Sequence, residues 1–165
     1  MHKLGFIIAS LLILSGCATQ RLSDPEKSTI IEQYIAAENL ERRSSVSAFN
    51  MDSWTSLSDQ YLILRTSPFK SYLVKLFSRC NDLDYGFTLV IDSRIPNNLS
   101  EGLDSVYSPE NQMFKCSISR IYPLTKAQNK ALISATTATN KNKPIAKPTS
   151  DKKDEAIKTL ESTDN

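Results

Sequence analysis

Histidine is almost missing from this 165-residue chain, His2 being the only one. It sits in an N-terminal stretch that reads as a removable export signal, so the chain left after cleavage has no imidazole. That excludes Ser-His-Asp and Cys-His catalysis, histidine-based zinc sites and histidine proton shuttling. Glycine is scarce too, four in all, and only Gly86 and Gly102 lie beyond residue 16. Loops that cradle phosphates need several glycines at fixed offsets, so neither a P-loop nor a dinucleotide-binding fingerprint is present. Asp82, Asp84 and Gly86 lack the remaining ligands of a calcium loop and read as a solvated turn. Charge of either sign is not in excess, with 20 Lys and Arg against 18 Asp and Glu. A dedicated nucleic-acid binder shows a basic field, and none is present here. The chemistry-bearing residues imply no cofactor and no metal.

What is present begins at the N-terminus. His2 and Lys3 precede an apolar run, Gly5 to Leu14, that is too short to cross a membrane and suits a secretory signal. The four residues Leu14-Ser15-Gly16-Cys17 resemble the lipobox of bacterial lipoproteins. The resemblance implies cleavage before Cys17, a diacylglyceryl group on its thiol and a further acyl chain, palmitate or similar, on the new amine. Each buried methylene contributes about 0.8 kcal/mol, so two or three chains hold a protein stably on a membrane. Ala18, rather than Asp, follows the cysteine, which by the same resemblance favours the periplasmic face of the outer membrane in a Gram-negative cell.

Removing residues 1–16 leaves two other cysteines, Cys80 and Cys116. An even pair in an oxidising compartment is expected to form a disulfide.

Along the chain, Ile30, Ile31, Tyr34, Ile35, Ala37 and Leu40 recur at helical spacing after Asp24-Pro25-Glu26, with Asp24 as cap and Pro25 as first helical residue. This predicts a helix over residues 25–43. Short β-rich runs follow, beginning at Val46. The strongest are 60–65, 71–77, 87–91, 103–107 and 115–121, with turns at 54–59, 66–68 and 96–98. In the last run, alternation places Cys116, Ile118 and Arg120 on one face and Ser117, Ser119 and Ile121 on the other. Residues 125–134 suggest a closing helix. From residue 135 the chain is rich in Thr, Lys, Asn and Asp with few large apolar side chains, the composition of a disordered tail. The expected organisation is a signal over 1–16, a lipidated N-terminus with an amphipathic helix over 17–44, a disulfide-stapled β-rich domain over 45–134 and a tail over 135–165. The fold class is α+β, a small antiparallel sheet or partly open β-barrel with an N-terminal helix.

The pattern of Trp54, Asp59, the strands at 61–64 and 72–76, Cys80, Asp104 and Cys116 with Ile118 is similar to a family of small Gram-negative lipoproteins of unknown function. The resemblance implies a shared β-rich fold and the two-cysteine core, and no activity. These readings together suggest a non-enzymatic binding or structural module of the cell envelope. Its partners would be the membrane, through the lipid, and an envelope protein or the cell wall. Trp54, Asp59 and Asp104 are the candidate binding surface. The alternative is a small peptidoglycan hydrolase using two of Asp59, Asp92, Glu101 and Asp104 as paired carboxylates.

Overall fold

Three strands in the middle of the chain are apolar on both faces, and each face needs its own cover. They are β3 (Tyr61–Ser67), β4 (Lys70–Leu76) and β8 (Cys116–Leu124), adjacent in the sheet and antiparallel. In the computed structural model, which describes residues 21–47, 49–83 and 88–137, they form the centre of a curled antiparallel half-barrel. The full strand order is β2-β3-β4-β8-β7-β5, with β2 (Ser53–Ser56), β5 (Val90–Asp92) and β7 (Ser105–Tyr107) completing it. A separate ribbon pairs β1 (Ser45–Ser47) with β6 (Asn98–Ser100).

The inner face of the curl carries Leu62, Leu64, Val74, Leu76, Ile118 and Ile121, and the ribbon contributes Leu99 and the adjoining loop Phe49 to the same core. The half-barrel is therefore filled by its own side chains, as small barrels are. The outer face carries Tyr61, Ile63, Leu73, Tyr122 and Leu124, covered by two helices, α1 (Asp24–Ala37) and α2 (Lys126–Thr137). Ile31 and Tyr34 from α1 and Leu132 from α2 are buried there. The apolar stripe of the first helix thus finds its partner within the domain. At roughly 1.5–3 kcal/mol per large apolar side chain fully buried, each core is a substantial source of stability.

Both helices begin with reciprocal caps. Glu26 reaches back to accept the Ser23 N–H at 2.9 Å, and Gln128 accepts the Thr125 N–H at 2.9 Å while the Thr125 hydroxyl accepts the Gln128 N–H at 3.2 Å. The cap of α1 is Ser23, one residue ahead of the expected Asp24. That helix also stops at Ala37, short of residue 43. Asn39 takes a left-handed conformation (φ 49°), the Leu40 N–H bonds the Ile35 carbonyl, and the Asn39 N–H bonds the Ala36 carbonyl. This is the Schellman arrangement, in which asparagine stands in for the usual glycine.

The strands depart from expectation in three places. Residues 53–56 form a strand rather than a turn, because Trp54 and Thr55 pair with Leu64 and Ile63 along the edge of β3. The turn near 96–98 is made by Pro96 and Asn97 (φ 56°), closed by the Asn98 N–H on the Ile95 carbonyl, but Asn98 already belongs to β6, drawn in by burial of Leu99 opposite Val46. In β8, Lys75 pairs with Arg120 but Leu76 pairs with Ile118, so Ser119 is an extra residue in a bulge. Strict alternation is broken there: Ile121 joins Cys116 and Ile118 in the inner core, and Arg120 moves to the outer face. The final helix runs to Thr137, three residues past its expected end, and Thr136 is buried. The signal segment, Cys17, residues 138–165 of the expected tail and Phe87 lie outside the described residues.

Cys80 and Cys116 are disulfide-bonded, joining the loop after β4 to the first residue of β8 across 36 residues. Closing a loop of that length is worth about 4 kcal/mol in the chain-entropy account. The paired substitution Cys80→Ser and Cys116→Ser is expected to lower unfolding free energy by up to that amount, read from urea denaturation, with little change in the native circular dichroism spectrum.

Candidate functional site

The acids offered by the sequence each have an assigned partner. Asp104, in the turn between β6 and β7, is only 2% exposed. Its carboxylate accepts the Ser100 N–H at 2.7 Å, the Arg94 N–H at 3.0 Å and the Ser93 hydroxyl at 3.2 Å. It holds a turn shut. Glu101, three residues earlier, accepts the Ile121 N–H at 2.8 Å and the Arg42 Nε–H at 2.7 Å. It caps a part of β8 beyond the reach of β7, and the Arg43 N–H covers the neighbouring Ile121 carbonyl at 2.9 Å. Asp59 is buried in the turn between β2 and β3, 3.3 Å from Arg79, and its own carbonyl accepts the Cys80 N–H at 2.7 Å. Asp92 is half-exposed and paired with Lys115 at 2.6 Å. The aspartate beside Lys115 raises that ammonium above the ordinary lysine value.

Trp54 is half-buried on β2 and packs on the edge of the inner core. Trp54, Asp59 and Asp104 therefore sit on three separate elements, and the two acids face inward to structural partners. They do not form one exposed rim, because the turns that hold them use their carboxylates and carbonyls to satisfy backbone donors. Among the described residues, no three His, Cys, Asp or Glu side chains gather as metal ligands.

One polar cluster lies on the outer face beside α1. Glu32 accepts the Tyr61 hydroxyl at 2.9 Å and is bridged by Lys75 at 2.6 Å. The Lys75 ammonium also sits 5.3 Å from the Tyr61 ring centroid. Burial, and then the hydrogen bond to Glu32, push the Tyr61 phenol far above its ordinary value. The Lys75 and Tyr61 hydrogen bonds hold the Glu32 carboxyl below the usual carboxylate range, against a smaller opposing effect of burial.

Of the exposed large apolar side chains, Phe69, Ile95 and Leu103 lie on three separate turns, while three others flank the disulfide in sequence. Phe77 follows β4, while Met113 and Phe114 precede β8, and they are 76%, 92% and 66% exposed. The two loops face each other across a groove of about 350 Å³, lined by Arg79, Asn81, Asn111, Phe114, Lys115 and the disulfide. The Phe77 N–H bonds the Ser117 carbonyl at 3.0 Å, continuing the β4–β8 pairing past the last strand residue. The sequence places Phe77 at the end of the run 71–77. The available signal was parity: Leu76 points inward, so Phe77 points out, and Met113-Phe114 lie in a polar run.

A second groove, about 420 Å³, lies at the same end of the sheet but toward the helices. Arg21 and Leu22 ahead of α1, Thr55 and Ser56 on the edge strand and Thr137 at the end of α2 line it. The first and last described residues thus lie at one place.

Asp104→Ala strands two backbone N–H groups and is expected to cost about 2–4 kcal/mol in urea unfolding. Asp92→Ala removes a half-exposed pair and should be nearly neutral. The depressed Glu32 carboxyl contributes stability that is fully present above the ordinary glutamate value and lost as pH falls through its lowered folded-state value. Glu32→Gln is accordingly expected to flatten the acid limb of a urea-midpoint profile taken from pH 7 to pH 3, relative to the unsubstituted chain.

No curated protein and no solved structure matches the chain. Residues 1–140 match the sequence model of a family of unknown function, DUF6491, and the chain belongs to that family.

Proposed function

We propose that this protein is exported, acylated on Cys17 and held on the periplasmic face of the outer membrane, where its half-barrel is a binding or structural module rather than an enzyme. The anchoring rests on the sequence Leu14-Ser15-Gly16-Cys17 behind its short apolar run. Cys17 precedes Arg21 by four residues, a span of at most about 14 Å. Acyl chains on that cysteine would keep the domain against the bilayer.

The observation that carries the non-catalytic reading is the employment of the acids. Paired-carboxylate hydrolysis needs two carboxylates open to one substrate. Asp104 and Glu101 are committed to backbone N–H groups, Asp59 is buried beside Arg79, and Asp92 is bridged to Lys115. The inner face of the curl is filled by its own core side chains. What the molecule presents outward is the apolar pair of loops around the disulfide groove, a surface suited to contact.

The test is Cys17→Ser in the full-length chain, expressed in a Gram-negative bacterium with labelled palmitate. The unsubstituted protein is expected to take up label and to fractionate with the outer membrane. The variant is expected to take up none and to leave the membrane on washing. Unlabelled wild-type protein, or a variant that stays membrane-bound to the same extent, overturns the reading.

A further inference from the structure

Phe77, Met113 and Phe114 share one end of the sheet, where β4 and β2 finish and β3 and β8 begin. The same end holds Arg21 and Thr137, the first and last described residues, since both line a groove with Thr55, Ser56 and Leu57. The Ser28 hydroxyl near the start of α1, 2.9 Å from the Ser58 hydroxyl in the β2–β3 turn, places α1 there as well. The opposite end is marked by the β3–β4 hairpin with Phe69, whose ring lies 5.9 Å from the Lys126 ammonium at the start of α2. Seven-residue strands separate the two ends by roughly 20 Å.

We infer that Phe77, Met113 and Phe114 form a membrane-contact surface: this end of the half-barrel rests on the bilayer interface, with Arg79 and Lys115 beside the groove at the level of the lipid phosphates. The inference rests on the acylation of Cys17 proposed above. A leash of four residues, at most about 14 Å, is shorter than the strands, so the lipid holds this end of the molecule closer to the membrane than the hairpin end. Large apolar side chains that close to a bilayer lose water contact by entering the boundary between headgroups and acyl chains. The acyl chains thus supply attachment and the patch supplies orientation. The occupant that the chain length favours is the lipid surface, because a protein partner seated on these loops would have to fit between the domain and the bilayer.

The test uses the mature acylated chain in vesicles of phosphatidylethanolamine and phosphatidylglycerol, some brominated high on the acyl chains. Trp54→Phe removes the native indole, and single tryptophans are then placed by Phe77→Trp, Phe114→Trp or Phe69→Trp. Emission at 77 and 114 is expected to be quenched at least about twofold more than at 69, with a blue shift on vesicle binding. Quenching equal at all three positions, or absent at 77 and 114 while the protein floats with the vesicles, overturns the inference and leaves the patch facing a protein partner. Replacing all three apolar residues, Phe77→Ser, Met113→Ser and Phe114→Ser, should leave flotation intact and abolish the protection of Arg79 from trypsin that vesicles confer on the unsubstituted chain. Trypsin cleavage unchanged by vesicles in the unsubstituted chain also counts against it. An intact mass without acyl groups is a failure of the anchoring reading itself, and this orientation falls with it.

Discussion

Strand β8 has to serve two cores at once, and the bulge at Ser119 is how it does so. Ahead of the bulge, Cys116 and Ile118 face inward under the curl. Beyond it, Ile121 still faces inward while Tyr122 and Leu124 meet the helices. The same sequence in regular alternation, with no bulge at Ser119, would carry Ile121 to the opposite side and turn the Arg120 guanidinium toward the inner core. Because a one-residue slip inverts every later side chain, the helical layer and the half-barrel interior both depend on this single insertion. The bulge also bends β8, in keeping with the curl of the sheet.

The second demand on β8 is its exposed edge. β7 pairs with it only at Cys116 and Ser117, and unpaired donors and acceptors beyond that point would be costly or sticky. The turn between β6 and β7 answers this with polar groups rather than with another strand. The Gly102 N–H and the Asp104 carbonyl bond Ile118, Glu101 takes the Ile121 N–H, and Arg43 covers the Ile121 carbonyl. Gly102 has φ 70°, a conformation that a β-carbon disfavours, which explains one of the few glycines the chain retains. Acids that looked like candidate chemistry are therefore part of the edge of the sheet.

Much of the architecture was legible because its signals are local. The two strong strands, the even cysteine pair and the apolar stripe of α1 each follow from composition or spacing over a few residues. The strands at 53–56 and 98–100 were hidden because serine and asparagine dominate them, and only pairing with distant partners makes them extended. The bulge was invisible for the same reason, since alternation holds within a strand only until a neighbour's register forbids it. Candidate contacts fared worst. Asp59 and Asp104 read as exposed because free acids usually are, whereas their burial is set by backbone donors brought from other parts of the chain.

The meeting of Arg21 and Thr137 in one groove makes the domain a side loop on the polypeptide rather than a bead along it. A fold whose two ends lay at opposite poles would set them apart by its full height. Here the height of the domain adds nothing. Thr137 lies level with Arg21, so the two ends of the described chain are separated by the width of one groove rather than by the length of the strands.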